Sequence, residues 1–168
     1  ARLVLKDIDR DGTIEIIAAP ENRMIKVFDH FGALQWEAVG GVSMQDTARV
    51  PVVANLTGDD RLEILSYGNP GWSNSTFYLW DSNGNKIKEI LIGNYVMISS
   101  PSMTKERLII AGTAPGYSSS SITNATGVRV FNNEIIELPY LELGTSVNFR
   151  SEIPYGDLDG DGLDDAVI

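Results

Sequence analysis

A short acidic loop recurs along this chain of 168 residues and constrains its fold more than any other feature. Residues 7–17 read DIDRDGTIEII, and residues 157–167 read DLDGDGLDDAV. A weaker copy, NLTGDDRLEIL, occupies residues 55–65. Each copy continues into an apolar segment of the kind that forms a β-strand. The sequence therefore indicates a chain built from repeats, and a fold of similar stacked units is the first one to consider.

A second repeated element gives the period. Residues 27–29, 79–81 and 130–132 read VFD, LWD and VFN, at a spacing of about 51 residues. The second of these continues into Asn83-Gly84, which predicts a hairpin with both residues at positive φ in a type I′ turn. Residues 108–112 lie where the strand of a missing acidic copy should be. These spacings predict a single domain with repeats over residues 1–48, 49–96 and 97–150, and an incomplete repeat over 151–168.

The apolar runs are short and are bounded by Gly, Asn, Asp, Pro and Ser, which is typical of strands and turns. No window of a dozen residues has sustained helical periodicity. The predicted strands cover residues 15–18, 24–28, 61–66, 76–80, 107–111 and 127–131. A period of about 50 residues with roughly four strands is typical of a propeller blade. We therefore predict an all-β chain of β-propeller blades, each of about four antiparallel strands, with about three blades and the start of another.

The acidic loops have the residue types and spacing of a calcium site. Alternating carboxylates, a ninth-position acid and a seventh-position carbonyl offer hard oxygen ligands, which suit Ca²⁺ better than the stricter octahedral geometry of Mg²⁺. An EF-hand would need a glutamate at position twelve and flanking helices, whereas Ala18 and Ile168 stand there. The predicted ligands are Asp7, Asp9, Asp11, Thr13 and Glu15 in the first loop, and Asp157, Asp159, Asp161, Leu163 and Asp165 in the last.

The middle loop offers less charge to a cation. Its predicted ligands are Asn55, Thr57, Asp59, the Arg61 carbonyl and Glu63, with Asp60 where the other loops have glycine. We therefore expect two calcium ions and a third, weaker site. Near Pro101, Met103 and Lys105 stand where carboxylates would be needed, and no metal is expected there.

Composition limits the partners of the chain. It has 13 Lys+Arg and 23 Asp+Glu, a formal net charge of -10, which argues against nucleic acid or an anionic membrane as partner. Twelve of the 23 acids lie in the three loops, and two bound calcium ions would bring the charge to -6. The chain has no cysteine and one histidine, so a disulfide framework, a thiolate metal site and a multi-histidine site are excluded. No apolar run approaches about 18 residues, so no transmembrane helix is expected.

The two strong loops, each followed by an apolar strand, resemble the calcium-binding repeats of FG-GAP or VCBS type β-propellers, such as those of integrin α-subunits. Phe31-Gly32 and, more approximately, residues 111–115 match the two short signatures of that family. The resemblance implies an extracellular or cell-surface propeller stabilised by calcium. Because an open array of blades leaves sheet faces and edges uncovered, the chain also has the pattern of a segment of a longer protein.

Three functions remain open. The first is a non-catalytic segment for adhesion, protein–protein interaction or surface assembly. The second is a carbohydrate-binding or polysaccharide-lyase-associated propeller, with Trp72 and Tyr117 as stacking residues. The third is a structural subunit of a surface filament or layer. The expected partner is an extracellular protein or glycan, the remaining blades, or neighbouring copies of the chain.

Neither catalytic residues nor a catalytic motif is predicted. The sequence has no Gly-x-Ser-x-Gly elbow, P-loop or His-Glu-x-x-His motif. His30 follows Asp29 in a predicted turn and is interpreted as a surface residue. Asn74 and Asn124 begin sequons, in loops that lead into predicted strands, and are the expected sites of N-glycosylation.

Overall fold

A computed structural model describes residues 3–19, 24–39, 50–71, 74–91, 95–97, 102–104, 109–115, 125–131, 141–147 and 153–167. These residues form strands, turns and irregular segments, and they contain no helix. The predicted all-β class is confirmed. Accordingly, the described part of the chain has no helix that is long and apolar enough to cross a membrane.

Two four-stranded antiparallel sheets follow each other along the chain, and each places its strands side by side in chain order. In both sheets the second strand begins at the last acid of an acidic loop, Glu15 or Glu63. The first sheet contains β1 (Leu3–Lys6), β2 (Glu15–Ala18), β3 (Met24–Phe28) and β4 (Leu34–Val39). The second sheet contains β5 (Val52–Ala54), β6 (Glu63–Gly71), β7 (Asn74–Trp80) and β8 (Lys86–Leu91).

The third sheet has five strands: β9 (Tyr95–Met97), β10 (Ser102–Met103), β11 (Ile109–Pro115), β12 (Ala125–Phe131) and β13 (Leu141–Val147). Their order is β10-β11-β12-β13, with β9 also paired to β11. β9 spans the predicted repeat boundary between residues 96 and 97, and it belongs to the third sheet. A two-stranded sheet of β14 (Tyr155–Gly156) and β15 (Asp165–Ala166) follows.

Apolar side chains pack between successive sheets. Alternate residues of a strand point to opposite faces of its sheet, so Ile64 and its neighbour Leu65 belong to different core clusters. The second sheet is therefore covered on both faces. One cluster joins Ile17, Ile25 and Val27 of the first sheet to Ile64 and Trp80. The other joins Leu65, Phe77 and Leu79 to Ile109 and Phe131 of the third sheet.

The hairpin turns at the ends of β3 and β7 have the same hydrogen bonds. The Oδ1 of Asp81 accepts the main-chain N–H groups of Asn83 (2.9 Å) and Asn85 (2.8 Å), and its carbonyl accepts that of Gly84. Asp29 repeats this pattern in the first sheet. The predicted type I′ turn is wrong, because Gly84 has a φ of 83° while Asn83 is not at positive φ. The aspartate fixes a turn whose last residue is left-handed, and glycine suits that position.

A tryptophan of the first sheet contacts the hairpin turn between β7 and β8 of the second sheet. Trp36 on β4 donates its indole N–H to the carbonyl of Ser82 over 2.9 Å. A Cβ added to Gly84 would lie 2.6 Å from Cδ2 of that indole, so the ring packs directly on the glycine backbone. Glycine is therefore required at position 84 both by its φ and by the close approach of the ring.

Candidate metal centres

The three acidic loops share one backbone conformation. In each, the fourth and the sixth residue have a positive φ, which curls the chain so that alternate side chains turn inward. Glycine adopts this conformation freely, whereas other residues strain by about 1–2 kcal/mol each. The fourth residues are Arg10 (63°), Gly58 (85°) and Gly160 (82°), and the sixth are Gly12 (90°), Asp60 (69°) and Gly162 (93°).

In each loop, the acid at the ninth position accepts a hydrogen bond from the main-chain N–H of the second residue. Glu15 accepts the main-chain N–H of Ile8 over 2.9 Å, and Glu63 accepts that of Leu56 over 2.7 Å. Asp165 does the same for Leu158 over 3.0 Å. Glu15 and Glu63 are only 1% and 2% exposed. Sequence reasoning identified these acids as ligands and missed this anchoring role, which an acid at the first position of a buried strand could have suggested.

Asp7, Asp9 and Glu15 form the first candidate centre. One carboxylate oxygen from each lies within 4.8 Å of the others. The Oδ2 of Asp7 accepts the N–H of Gly12 over 3.1 Å, whereas its Oδ1 is shielded from solvent and has no hydrogen-bond partner. A buried carboxylate oxygen without a donor is costly. A hard cation would satisfy that oxygen and offset the mutual repulsion of three carboxylates, so these residues fit a divalent metal ion.

Asp157, Asp159 and Asp165 form the second candidate centre, at the same loop positions. Their carboxylate oxygens also lie within 4.8 Å of one another. The two oxygens of Asp157 accept the N–H groups of Gly160 (2.8 Å) and Gly162 (3.0 Å). All three acids are more exposed than Glu15 of the first loop. The second centre therefore offers three carboxylates, as the first does, but they are more exposed to solvent.

The fifth-position acids lie outside these two groups of three. Asp11 accepts the N–H and the hydroxyl of Thr13 over 2.7 and 2.6 Å, and Asp161 accepts the N–H of Leu163 over 2.8 Å. The hydroxyl bond, with the N–H bond second, lowers the pKa of the Asp11 carboxyl below its ordinary value. These acids hold the turn in shape. A coordinating role for Asp11, Asp161 and the carbonyls of Thr13 and Leu163 stays a prediction.

In the middle loop, side chains predicted as metal ligands form hydrogen bonds with one another and with the main chain. The hydroxyl of Thr57 lies 2.9 Å from Oδ1 of Asp59 and 3.1 Å from Oε1 of Glu63. The Oδ1 of Asn55 accepts the N–H of Gly58 over 2.6 Å. The N–H of Arg61 and then the Thr57 hydroxyl lower the pKa of Asp59. A hydroxyl thus lies between two acids in this loop, and weaker metal binding there stays a prediction.

The remaining predicted residues have separate positions. His30 is exposed in its turn, with its ring centroid 3.8 Å from that of Phe31. Asn74 is the first residue of β7 and pairs with Gly71, so its predicted place in a loop is wrong: the hairpin pairing extends that far. Trp72, Tyr117 and Asn124 lie outside the described residues.

No protein-family model matches this chain, and no curated protein matches it. The resemblance to calcium-binding propeller repeats therefore rests on the loop residues and the repeat period.

Proposed function

We propose that this chain is a non-catalytic, calcium-binding segment of β-propeller type that serves extracellular adhesion, protein–protein interaction or surface assembly. One observation supports it above all. Two loops separated by most of the chain each bring three carboxylates within 4.8 Å, at the first, third and ninth loop positions. The packing of the second sheet between its neighbours is compatible with successive blades.

Calcium suits these donors better than other metals. All the side-chain donors are oxygens, and the adjacent loop carbonyls can add to them, as Ca²⁺ requires with its six to eight oxygen ligands. Asp7, Asp9 and Glu15 would hold one ion and Asp157, Asp159 and Asp165 the other. A bound ion supplies positive charge that stabilises the loop and its junction with the following strand. In this proposal the carboxylates bind the calcium ion and do not transfer protons.

The exposure of the loops favours an extracellular setting. Asp9, Asp157 and Asp159 are exposed, so part of any bound ion's shell would be water. Extracellular modules are the class of calcium site with the weakest binding, and their calcium dissociation constants are about 10⁻⁴–10⁻³ M. At such affinities an ion is retained only where calcium is abundant.

The test is a calcium titration of the full chain after treatment with a chelator. We expect two ions per chain by calorimetry. At a free calcium level of 100 times the dissociation constant, each ion adds about 2.7 kcal/mol of stability, or a melting temperature higher by about 5–10 °C. Asp9→Asn and Asp159→Asn together should abolish both effects.

Asp59→Asn is the matched control, because it removes one acid from the middle loop and leaves both candidate centres intact. It should keep two binding events and the calcium-dependent shift in melting temperature. A melting temperature indifferent to calcium and chelator, or an equal response of Asp59→Asn and the double variant, would contradict the proposal. An equal response to magnesium would contradict the choice of metal.

A further inference from the structure

The hairpin turn between β7 and β8 contains the only Asn-Gly dipeptide of the sequence, Asn83-Gly84. In such a pair the main-chain nitrogen of the glycine can attack the side-chain carbonyl carbon of the asparagine, because glycine has no side chain to hinder the approach. Asn83 is also exposed, so water and base reach it. These features make Asn83 a candidate for spontaneous deamidation, a covalent modification that needs no enzyme.

The folded turn restrains the nitrogen that would attack. The N–H of Gly84 donates to the carbonyl of Asp81 over 3.1 Å. The N–H groups of Asn83 and Asn85 donate to Oδ1 of the same aspartate over 2.9 and 2.8 Å. The Gly84 nitrogen has to lose its proton and turn toward the Asn83 side chain before it reacts, so the turn must first open. The rate in the folded chain is therefore set by the fraction of molecules in which this turn is open.

Trp36 adds a restraint from the first sheet. A Cβ added to Gly84 would lie 2.6 Å from Cδ2 and 2.8 Å from Cε3 of its indole, and the indole N–H donates to the carbonyl of Ser82. The turn therefore cannot open unless Trp36 moves. In the matching turn of the first sheet, a Cβ added to Gly32 would meet no atom of the described residues within 4 Å.

We propose that Asn83 is a deamidation site, that Trp36 slows the reaction by packing on Gly84, and that the products release Trp36 from the second sheet. This inference concerns the hairpin turn alone and does not depend on the proposed calcium binding.

The reaction has two steps. The Gly84 nitrogen attacks Cγ of Asn83, the new N–Cγ bond closes a cyclic imide, and the Cγ–Nδ2 bond breaks. The proton of the Gly84 N–H leaves with the amide nitrogen as ammonia. One water molecule then opens the imide. Attack at Cγ breaks the new bond and leaves an aspartate, whereas attack at the main-chain carbonyl carbon breaks the original peptide bond and leaves a β-aspartate. No electrons are transferred, and water is the only co-reactant.

Both products disturb the contact with Trp36. Each places a new carboxylate two residues from that of Asp81, and like charges at this distance repel. The β-aspartate also adds one carbon, about 1.5 Å, to the main chain before Gly84. The indole leaves no room for such a shift, since a single added atom on Gly84 would already lie 2.6 Å from it. The ring can then no longer contact Gly84 and Ser82 together.

The experiment follows the full chain as it ages in chelator, folded and in mildly alkaline buffer. Trypsin releases residues 62–86 by cleavage after Arg61 and Lys86. Mass spectrometry of this peptide locates the deamidated residue, and electron-transfer fragmentation distinguishes aspartate from β-aspartate. We expect Asn83 to react before the other asparagines of the peptide. In Trp36→Ala the reaction should be about five- to tenfold faster, the factor for one lost hydrogen bond.

Two further variants and a control for stability make the test specific. Trp36→Phe keeps a ring over Gly84 without the donor and should give an intermediate rate. Asn83→Gln keeps an amide whose ring closure is larger and much slower, so it should not react. Phe131→Leu weakens the core between the second and third sheets and should leave the Asn83 rate unchanged.

Hydrogen exchange of the Trp36 indole N–H, measured by NMR and assigned with Trp36→Phe, reports the consequence. It should become at least tenfold faster in the deamidated fraction of the aged chain. The aged Asn83→Gln chain should keep the original exchange rate.

Three results would overturn the proposal. Equal rates at Asn83 in the folded chain and in urea would show that the turn does not restrain the reaction. Equal rates in the wild type and Trp36→Ala would show that the indole has no control over it. Unchanged indole exchange in the deamidated chain would show that the products leave the contact intact. Loss of calcium binding affects none of these measurements, so the two proposals fail separately.

Discussion

The indole Nε1 of Trp36 donates a 2.9 Å hydrogen bond to the carbonyl of Ser82, 46 positions later in the chain. The same ring packs on Gly84. This contact joins β4, the edge strand of the first sheet, to the turn between β7 and β8 of the second sheet. The first and second sheets thus share a directional hydrogen bond in addition to the apolar contacts of their common core cluster.

Gly84→Ala should break this contact. The new Cβ would lie 2.6 Å from the indole, at a φ of 83° that alanine rarely adopts. We expect a loss of about 2–4 kcal/mol of unfolding free energy in urea denaturation. Gly32→Ala is the matched control, because its φ is 85° and its surroundings are open. It should lose only about 1–2 kcal/mol, and equal losses would show that the indole contributes nothing.

Glu63→Ala should destabilise the protein with or without calcium. The carboxylate is 2% exposed and accepts the N–H groups of Leu56 and Thr57. Removing it leaves two donors without an acceptor, which costs about 2–4 kcal/mol. Glu89→Ala is the control, since Glu89 is exposed and forms an ion pair with Lys86 at the surface. That change should cost less than about 0.5 kcal/mol. Similar denaturation midpoints for both variants would contradict the anchoring role.

Thr57→Val should raise the pKa of Asp59 toward its ordinary value of 3.8. The hydroxyl donates to the ionised carboxyl, and the remaining N–H of Arg61 keeps part of the shift. Because the folded-state pKa is lowered, this bond stabilises the protein above about pH 4 and its contribution disappears as the pH falls through the folded-state pKa. The check is a carboxyl carbon titration by NMR in chelator.

Thr13→Val should act in the same way on Asp11, whose lowered pKa has its largest cause in the Thr13 hydroxyl. The stability difference between wild type and either variant should narrow between pH 7 and pH 3. An Asp59 titration unchanged by Thr57→Val, or a stability difference that widens in acid, would contradict this assignment.

Phe77 and Phe131 should be energetically coupled. Their ring centroids lie 5.2 Å apart at an interplanar angle of 89°, an edge-to-face arrangement between the second and third sheets. A double-mutant cycle with Phe77→Leu and Phe131→Leu should give a coupling of about 0.5–1.5 kcal/mol. The cycle that pairs Phe77→Leu with Phe28→Leu in the first sheet should give none. Coupling near zero in both cycles would show that the rings do not contact.

Turn residues explain how far the strands were predictable. β2 and β3 begin and end as predicted, at Glu15–Ala18 and Met24–Phe28. β6 was predicted over residues 61–66 and instead covers Glu63–Gly71. Gly68 and Pro70 argue against a strand in isolation, but main-chain pairing with β7 continues through an irregularity in register between Gly68 and Gly71. Tertiary pairing of this kind has no local signal.

The candidate centres were predictable in composition and only partly in geometry. Alternating acids identified Asp7, Asp9 and Glu15 because side-chain spacing is visible in the sequence. The separation of Asp11 from that group was not, because it depends on which N–H groups the loop presents after it curls. The position of the Thr57 hydroxyl between Asp59 and Glu63 could not be predicted either, since it depends on a side-chain rotamer.

The packing of the second sheet between its two neighbours has a kinetic consequence. Among the described residues, each of the two core clusters joins one pair of adjacent sheets, and the Trp36–Ser82 hydrogen bond spans 46 positions. The entropy lost on closing each intervening loop therefore depends on the length of one repeat and stays nearly constant as repeats are added. Folding can then spread from any sheet that forms first, at a rate governed by the local contact order of one neighbouring pair.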